Sequence, residues 1–419
     1  MPALRTPGST PSGNANRVTV SLVGTLPPVK GVSAYTAQLL GALAHDPDVG
    51  VEFAGFRRIY PRRAYPGGDP DEAGLATPAF DDVRIRNSIT WYNPLSWITA
   101  GFALRGDVVH AQWWSYALAP VYVTMLVIAR LRGKRVLLTV HNVEPHEGGI
   151  AKRVLNRIVF RLGHAYIVHS EQNRAALQHA VGGDPSRITV LPHGVLDTPR
   201  SGISRATARE RLGLPRDARV ILCFGNIRAY KGVDVLLRAF AVVLRDEPDA
   251  LLLIAGKPWE DWSPYKVLID ELGIADRVRC FLDYIPTPEI EAYFVAADLV
   301  ALPYTHFDAQ SGVGTRALPF GRPLVVSNVG GLPELVMETA AVVPPSNPEA
   351  LAQAITRILG DPAMRDRMAV DSLTIAGALG WDRIAMHTVE LYRRMLSGET
   401  HATEQDEQAA VKAAGTGRP

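Results

Sequence analysis

The chain has 419 residues, 47% of them hydrophobic and 21% charged, with a formal net charge of +2. That length exceeds one ordinary core and predicts two domains, and the near-neutral balance gives no mandate for binding nucleic acid. The two cysteines, Cys223 and Cys280, lie in apolar strand-like runs and read as reduced core residues, with neither metal spacing nor a disulfide framework.

In chain order, residues 1–16 are rich in Pro, Gly, Ser and Asn and lack an apolar run. They read as a disordered tail without a signal peptide, so a cytoplasmic protein is expected. A buried-type strand over Val18–Val23 is followed by a Pro/Gly turn and a helix opening at Ser33, the first β-loop-α unit. Gly31 in that turn can approach a ligand closely; an ordinary helix-entry glycine is an equal reading. Strands follow at Val51–Phe56 and Asp107–Gln112, with a helix beginning at Asn93–Trp97. The apolar run Trp113–Ala129 is interrupted by Pro120 and falls short of a comfortable membrane span, which favours a buried helix. A strand over Arg135–Val140 ends in a loop carrying His141, His146 and Glu147; a helix over Ile150–Leu162 and strands at Ala165–Val168 and Ile188–Leu191 follow. That helix carries Lys152, Arg153, Arg157 and Arg161 near one face. It reads first as a surface helix packed on its own sheet, and second as a basic amphipathic helix resting on an anionic membrane.

The second half repeats the plan. Strands are predicted at Arg219–Phe224, Ala250–Ala255, Val278–Leu282, Leu299–Leu302 and Pro323–Ser327, with helices over Val233–Leu244 and Glu289–Ala297. Alternation of strands with helical periods in both halves predicts two doubly wound parallel sheets. Pro, Gly, Ser and Thr cluster around Leu196–Ser204, where the halves join, and an amphipathic helix over Trp381–Leu396 precedes a polar tail. The expected organisation is a first domain over 17–198, a second over 199–380, a terminal helix over 381–396 and disordered tails at 1–16 and 397–419.

Polar residues at predicted strand ends carry the chemistry. Arg228 and Lys231 stand three apart after a strand and can converge on one anion, a fork beside a point charge; the alternative is a solvated loop. The stretch Gln310-Ser311-Gly312-Val313-Gly314 reads as a small, flexible turn leading into a helix-like segment over Ala317–Phe320, then a strand and the pair Gly330-Gly331. Glycines at a helix start admit a ligand to the backbone, and first-turn N–H groups favour an anion, as a nucleotide diphosphate would require; a packed turn is the plain alternative. His141, His146 and Glu147 read as a hydrogen-bonding acid/base loop. Their spacing lacks the zinc-helix pattern and includes Pro145, so no metal is expected.

Taken together, PPVKGVSAYTAQL (27–39), FRRIYPRRAYPG (56–67), NPLSW (93–97), QWW (112–114), TVHNVEPHE (139–147), FGNIRAYKGVDVLL (224–237), IAGKPWED (254–261), AQSGV (309–313) and FGRPLVVSNVGGLPE (320–334) resemble a retaining glycosyltransferase of family 4, over about residues 17–396. The resemblance implies a GT-B fold, two Rossmann-like doubly wound α/β domains facing a central crevice. The first domain would bind the acceptor and the second a nucleotide-sugar donor, with the terminal helix crossing back to the first domain. It further implies Arg228 and Lys231 on the donor diphosphate, Gln310, Ser311, Gly312 and Val313 on phosphate and sugar, and His141 by the transferred sugar. Gly31, His146 and Glu147 would lie on the acceptor side. No cofactor is implied beyond the nucleotide sugar as substrate; the partners implied are that donor and a glycan or lipid-linked acceptor, with peripheral contact at the inner membrane face as a further expectation.

The sequence departs from the family at one place. The broader family often carries Glu-x7-Glu, and aligning on Gly321-Arg-Pro puts Asp308 and Arg316 at those positions. Asp308 is kept as the catalytic acidic residue; Arg316 cannot accept hydrogen bonds from ribose hydroxyls. The QSGV form resembles a divergent branch lacking the second Glu. A GT-B epimerase or phosphorylase and an inactive sugar-binding scaffold are the alternatives, whereas a nicotinamide dehydrogenase is disfavoured by the absence of a glycine triplet after the first strand.

Overall fold

The structure, a computed structural model, describes residues 17–29, 32–59, 78–80, 82–143, 150–196, 198, 200–307 and 311–398. The first sheet comprises β1 (Val18–Gly24), β2 (Val49–Arg58), β3 (Arg84–Thr90), β4 (Val108–Trp113), β5 (Arg135–Val140), β6 (Ala165–Val168) and β7 (Ile188–Val190), all parallel, in the order β3-β2-β1-β4-β5-β6-β7. Its helices are α1 (Ser33–His45), α2 (Pro94–Ala103), α3 (Ala119–Leu131), α4 (Ile150–Phe160) and α5 (Glu171–Val181). The second sheet comprises β8 (Arg219–Phe224), β9 (Ala250–Ala255), β10 (Val278–Phe281), β11 (Leu299–Leu302), β12 (Leu324–Ser327) and β13 (Val342–Val343), parallel in the order β10-β9-β8-β11-β12-β13. Around it run α6 (Arg205–Arg211), α7 (Val233–Asp246), α8 (Ser263–Glu271), α9 (Ile290–Ala296), α10 (Gly312–Ala317), α11 (Pro348–Gly360) and α12 (Pro362–Ala378).

Both sheets are covered on two faces, and the sequence shows why. Every residue of β9 is apolar and buried, and β5 is buried from Val136 to Val140 with Thr139 its one polar member, the near-continuous apolar runs that a doubly covered parallel strand demands. In the first sheet one core collects side chains of α2, α3, α4 and α5, and the other those of α1 and the final helix, α13 (Trp381–Ser397). Strand order reverses between β1 and β4 and again between β8 and β11, which places a crevice at the carboxyl ends of those pairs.

The chain passes between the sheets twice, and the two passages are tied together. Val195 N–H donates to Leu379 O at 3.1 Å, and Trp381 Nε1 donates to Val195 O at 2.6 Å. A β-carbon at Gly194 would stand 2.6 Å from the Trp381 ring, so only glycine admits the indole there. From this anchor α13 buries Ile384, Ala385, Val389 and Tyr392 against α1 and β1.

Several expectations change. Cys280 is exposed on the edge strand β10, while Cys223 is buried as expected. Helix α10 begins at Gly312 with Ser311 as its N-cap, where a flexible turn was expected, and residues Leu318–Phe320 form only a 3-10 turn. The long apolar run divides into the end of β4 and α3, with Pro120 in the first helical turn, where its missing N–H costs nothing. The tails at 1–16 and 399–419 lie outside the described residues, and Ser397 closes α13.

Candidate functional site

The second sheet presents a cavity of about 480 Å³ at its switch point, lined by the ends of β8 and β9, the segment after β11 and the start of α10. Strand β8 ends at Phe224, and Gly225 turns the chain at φ 97°. That φ favours glycine, and a β-carbon there would also crowd Lys231 Nζ at 2.8 Å and Val313 at 3.0 Å. Arg228 then opens a 3-10 turn over Ala229–Lys231, and α7 starts behind it.

Lys231 is only 6% exposed, yet its Nζ has one protein acceptor, the Phe224 carbonyl at 3.4 Å, and no carboxylate partner among the described residues. Burial pushes its pKa below the usual lysine value. A cation held in this way is under-solvated and attracts an anion strongly. Arg228 lies 3.9 Å over the Trp259 ring, a stacking contact that fixes the plane of its guanidinium while leaving the fork's edge available for oxygen ligands. Ser311 caps α10 by accepting from Gly314 N–H at 3.3 Å, and its hydroxyl lies 3.0 Å from that of Tyr304. The first-turn N–H groups at Gly312 and Val313 have no intrahelical acceptor and border the same cavity. Arg228, Lys231, Lys257 and Arg316 all line it, and among the described residues no acid does. The whole arrangement presents positive charge to a ligand carrying several anionic oxygens.

At the end of β5 in the first sheet, His141 occupies a closed network. Its Nε2 lies 2.8 Å from the Gln112 side-chain amide and its Nδ1 3.2 Å from His169 Nε2. Donor and acceptor roles follow in order. His169 Nδ1 faces the Leu191 carbonyl at 2.9 Å and must donate, so the Nε2 of a neutral His169 accepts. His141 Nδ1 therefore donates to it, and His141 Nε2 accepts. Gln112 Oε1 lies toward His141 and Nε2 toward His110, and these proton positions require the amide turned over, with NH2 facing His141 and the oxygen facing His110. His110 then donates from Nε2, 2.7 Å from Thr139 Oγ1, and accepts at Nδ1 from Tyr392 of α13 at 2.6 Å. Burial lowers the pKa of His110 and His169 to about 3 and of His193 to about 4, and holds His141 well below the histidine range. All four are neutral. His141 was expected by the transferred sugar in a hydrogen-bonding acid/base loop; here both of its ring nitrogens already have protein partners.

The remaining named residues divide simply. Arg228, Lys231, Ser311, Gly312 and Val313 converge on one cavity. Gly31, His146, Glu147, Asp308 and Gln310 lie outside the described residues. Among the described residues no group of three or more His, Cys, Asp or Glu side chains is arranged to hold a metal ion.

A family model described as Glycosyl transferases group 1 matches residues 204–371, and one described as Glycosyltransferase Family 4 matches residues 29–197. A D-inositol 3-phosphate glycosyltransferase of Thermobispora bispora is 30% identical over 312 residues, covering 70% of this chain and 71% of that protein. The chain belongs to glycosyltransferase family 4. The enzyme of the same name from Corynebacterium glutamicum is 32% identical over 267 residues, 60% of this chain and 63% of its own length. The chain thus spans less than two thirds of the length of the curated relatives it matches first. Among solved structures, sucrose-phosphate synthase from Thermosynechococcus elongatus superposes with a TM-score of 0.66 at 22% identity, over 91% of this chain and all of that one. Anabaena HepE in complex with UDP gives 0.67 at 19%, with the same coverage. Both confirm the GT-B fold.

Family motifs also contain residues whose role the sequence did not disclose. Glu260 accepts from Ala229 N–H at 2.8 Å and from the Tyr265 hydroxyl, bracing the turn that carries Arg228 and Lys231. Trp259 supplies the stacking plane. Both fall within the GKPWED stretch, which was legible as a family motif, but only the folded loops show what its side chains touch.

Proposed function

We propose that this family 4 protein is a retaining, metal-independent glycosyltransferase. It moves a sugar from a nucleotide-diphosphate sugar to a hydroxyl of a glycan, lipid-linked or small-molecule acceptor. The observation carrying this reading is the buried ammonium of Lys231, without a carboxylate partner among the described residues, beside Arg228 and the first turn of α10. Anabaena HepE is solved in complex with UDP, with UDP and glucose, and with UDP-glucose, which supports a nucleotide sugar as donor. The relatives' name supports including phosphorylated polyols among the acceptors tested.

In this reading the bond between sugar and diphosphate loosens into an oxocarbenium-like state, and negative charge builds on the leaving oxygen. Arg228, Lys231 and the N–H groups of Gly312 and Val313 stabilise that charge without reorganising. The acceptor hydroxyl attacks from the same face, with no obligatory protein nucleophile. Asp308 and Gln310 remain assigned to the sugar side by motif alone, as Gly31, His146 and Glu147 are to the acceptor side. His141, neutral and held by Gln112 and His169, presents a shaped and uncharged wall to the sugar; contact through a ring nitrogen requires one of those bonds to open on donor binding. Closure of the two sheets around the ligands excludes water and limits donor hydrolysis.

The test is a panel of nucleotide sugars incubated with polyol, glycan and lipid-linked acceptors, with product linkage read by NMR. Retention of anomeric configuration in a transferred sugar is the expected result. Inversion, or epimerised donor without transfer, would overturn the reading.

A further inference from the structure

The outer flank of the first domain is unusual in charge and in polarity. Helix α2, PLSWITAGFA, has no charged residue, and it turns Leu95, Ile98 and Phe102 outward along one helical stripe. Leu95 is 70% exposed and Phe102 60%, values that a helix packed against its own sheet does not require. Trp91 and Tyr92 stand exposed just before it, beyond the end of β3. Helix α3 packs alongside, so close that a β-carbon at Gly101 would lie 3.1 Å from Ile128, and it adds Val127 and the 82% exposed Leu131. Helix α4 follows with exposed Val154 and Ile158.

Cations edge this surface. Arg132 donates from α3 to the carbonyls of Gly101 and Leu104 at the end of α2, and Arg130 donates to Leu162 O just past α4. The carboxyl ends of the three helices therefore gather at one place. Arg153, Arg157 and Arg161 are exposed on and just after α4. Residues 84–143 contain seven Lys or Arg and one acid, Asp107, which pairs with Lys134 at 3.4 Å; residues 150–162 contain four cations and no acid. No helix among the described residues is long and apolar enough to cross a membrane.

We infer that this flank docks the protein on an anionic lipid bilayer, with the α2 stripe seated among the headgroups and the arginines of α4 over them. Apolar side chains at the centre, an aromatic pair at one end and an edge that among the described residues is positive and almost free of acids match the chemistry of such an interface. A second copy of this chain would bring the same positive edge against itself, which argues against a dimer as the occupant. Trp91 and Tyr92 follow the carboxyl end of β3, the end of the sheet at which His141 also lies, so docking leaves the crevice rim beside the bilayer. The inference does not depend on the transfer reaction, and its readout is binding.

The experiment uses the full chain in co-sedimentation with phosphatidylcholine vesicles, alone or containing phosphatidylglycerol. Binding is expected only to the anionic vesicles, with release at high salt. Leu95→Ser combined with Phe102→Ser is expected to weaken vesicle binding on the order of tenfold. Arg153→Gln, Arg157→Gln and Arg161→Gln together are expected to weaken it on the order of a hundredfold. Because all five side chains are exposed, the melting temperature is expected to stay near that of the wild type in both variants. Three results would overturn the inference: wild-type protein that ignores anionic vesicles, a Leu95/Phe102 variant that binds as well as wild type, or a vesicle-inert wild-type dimer that the same variant dissociates.

Discussion

Replacing Lys231 with methionine separates ligand binding from stability. The wild-type ammonium is buried with one acceptor at 3.4 Å, so in the free protein it is a desolvated charge with poor compensation. Methionine fills similar volume without that cost, and the free variant should be more stable by on the order of 1 kcal/mol. In a chain of this size that corresponds to a rise in melting temperature of roughly 1–3 °C. Binding of a diphosphate should move the other way. A charge-assisted bond to a phosphate oxygen is worth about 1.5–3 kcal/mol, which weakens affinity by roughly ten- to hundredfold. Calorimetric titration with uridine, adenosine and guanosine diphosphates, alongside thermal melting of the free protein, measures both terms. The reasoning fails if the nucleoside diphosphate that binds wild type binds Lys231→Met equally well. It fails equally if the free variant melts several degrees lower, because Lys231 would then hold the fold.

His141→Ala removes the partner of both Gln112 and His169 in a dry site, so a stability loss of about 1–3 kcal/mol is expected together with reduced turnover, while nucleoside diphosphate affinity stays unchanged. An unaltered melting temperature would show that the network does not brace the domain. Acid should destabilise the protein through the same cluster. His110, His169 and His193 have folded pKa values of about 3, 3 and 4, depressed below the unfolded value, so their contribution is complete above the unfolded pKa and is lost as pH falls from there toward 3–4. Near pH 5 each unprotonated histidine costs roughly 2 kcal/mol relative to neutral pH, and the sum approaches a typical total stability. A melting temperature flat between about pH 7.5 and pH 5 would contradict the buried neutral assignment. Activity is expected to survive exhaustive chelation with EDTA, since in the proposed reaction Arg228, Lys231 and the first turn of α10, which line one cavity, take the phosphate charge; loss restored by magnesium or manganese would refute that.

The sequence by itself determined the alternation of strands and helices, and with it two doubly wound sheets. The run Ala250–Ala255 is apolar throughout, and Val136–Val140 is apolar but for Thr139, because both faces of a parallel strand are covered, and that pattern is local. Arg228 and Lys231 were legible for a similar reason: they follow a strand end directly, and strand ends face the crevice. Elements stabilised by distant partners were not read. Strand β3, with mostly polar and half-exposed residues, exists because β2 offers it an edge, and α5, α11 and α12 carried no cue that was taken up. Cys280 lies in a strand-like run yet is exposed, since sheet order, which no local window encodes, put β10 at the margin.

Only the tertiary structure decided the condition of His141. Its partners come from Gln112 on β4 and His169 after β6, and the far end of the network from Tyr392 on α13, 282 residues from His110. A strand-end histidine looks reactive when read alone, whereas the fold supplies both of its nitrogens with partners. The same holds for Leu95, Ile98 and Phe102. Their spacing predicts an apolar helical face, but whether that face turns toward the core or toward solvent depends on where α3 and the sheet lie beneath it. Hydrophobic periodicity fixes that a face exists, and packing fixes the side on which it ends.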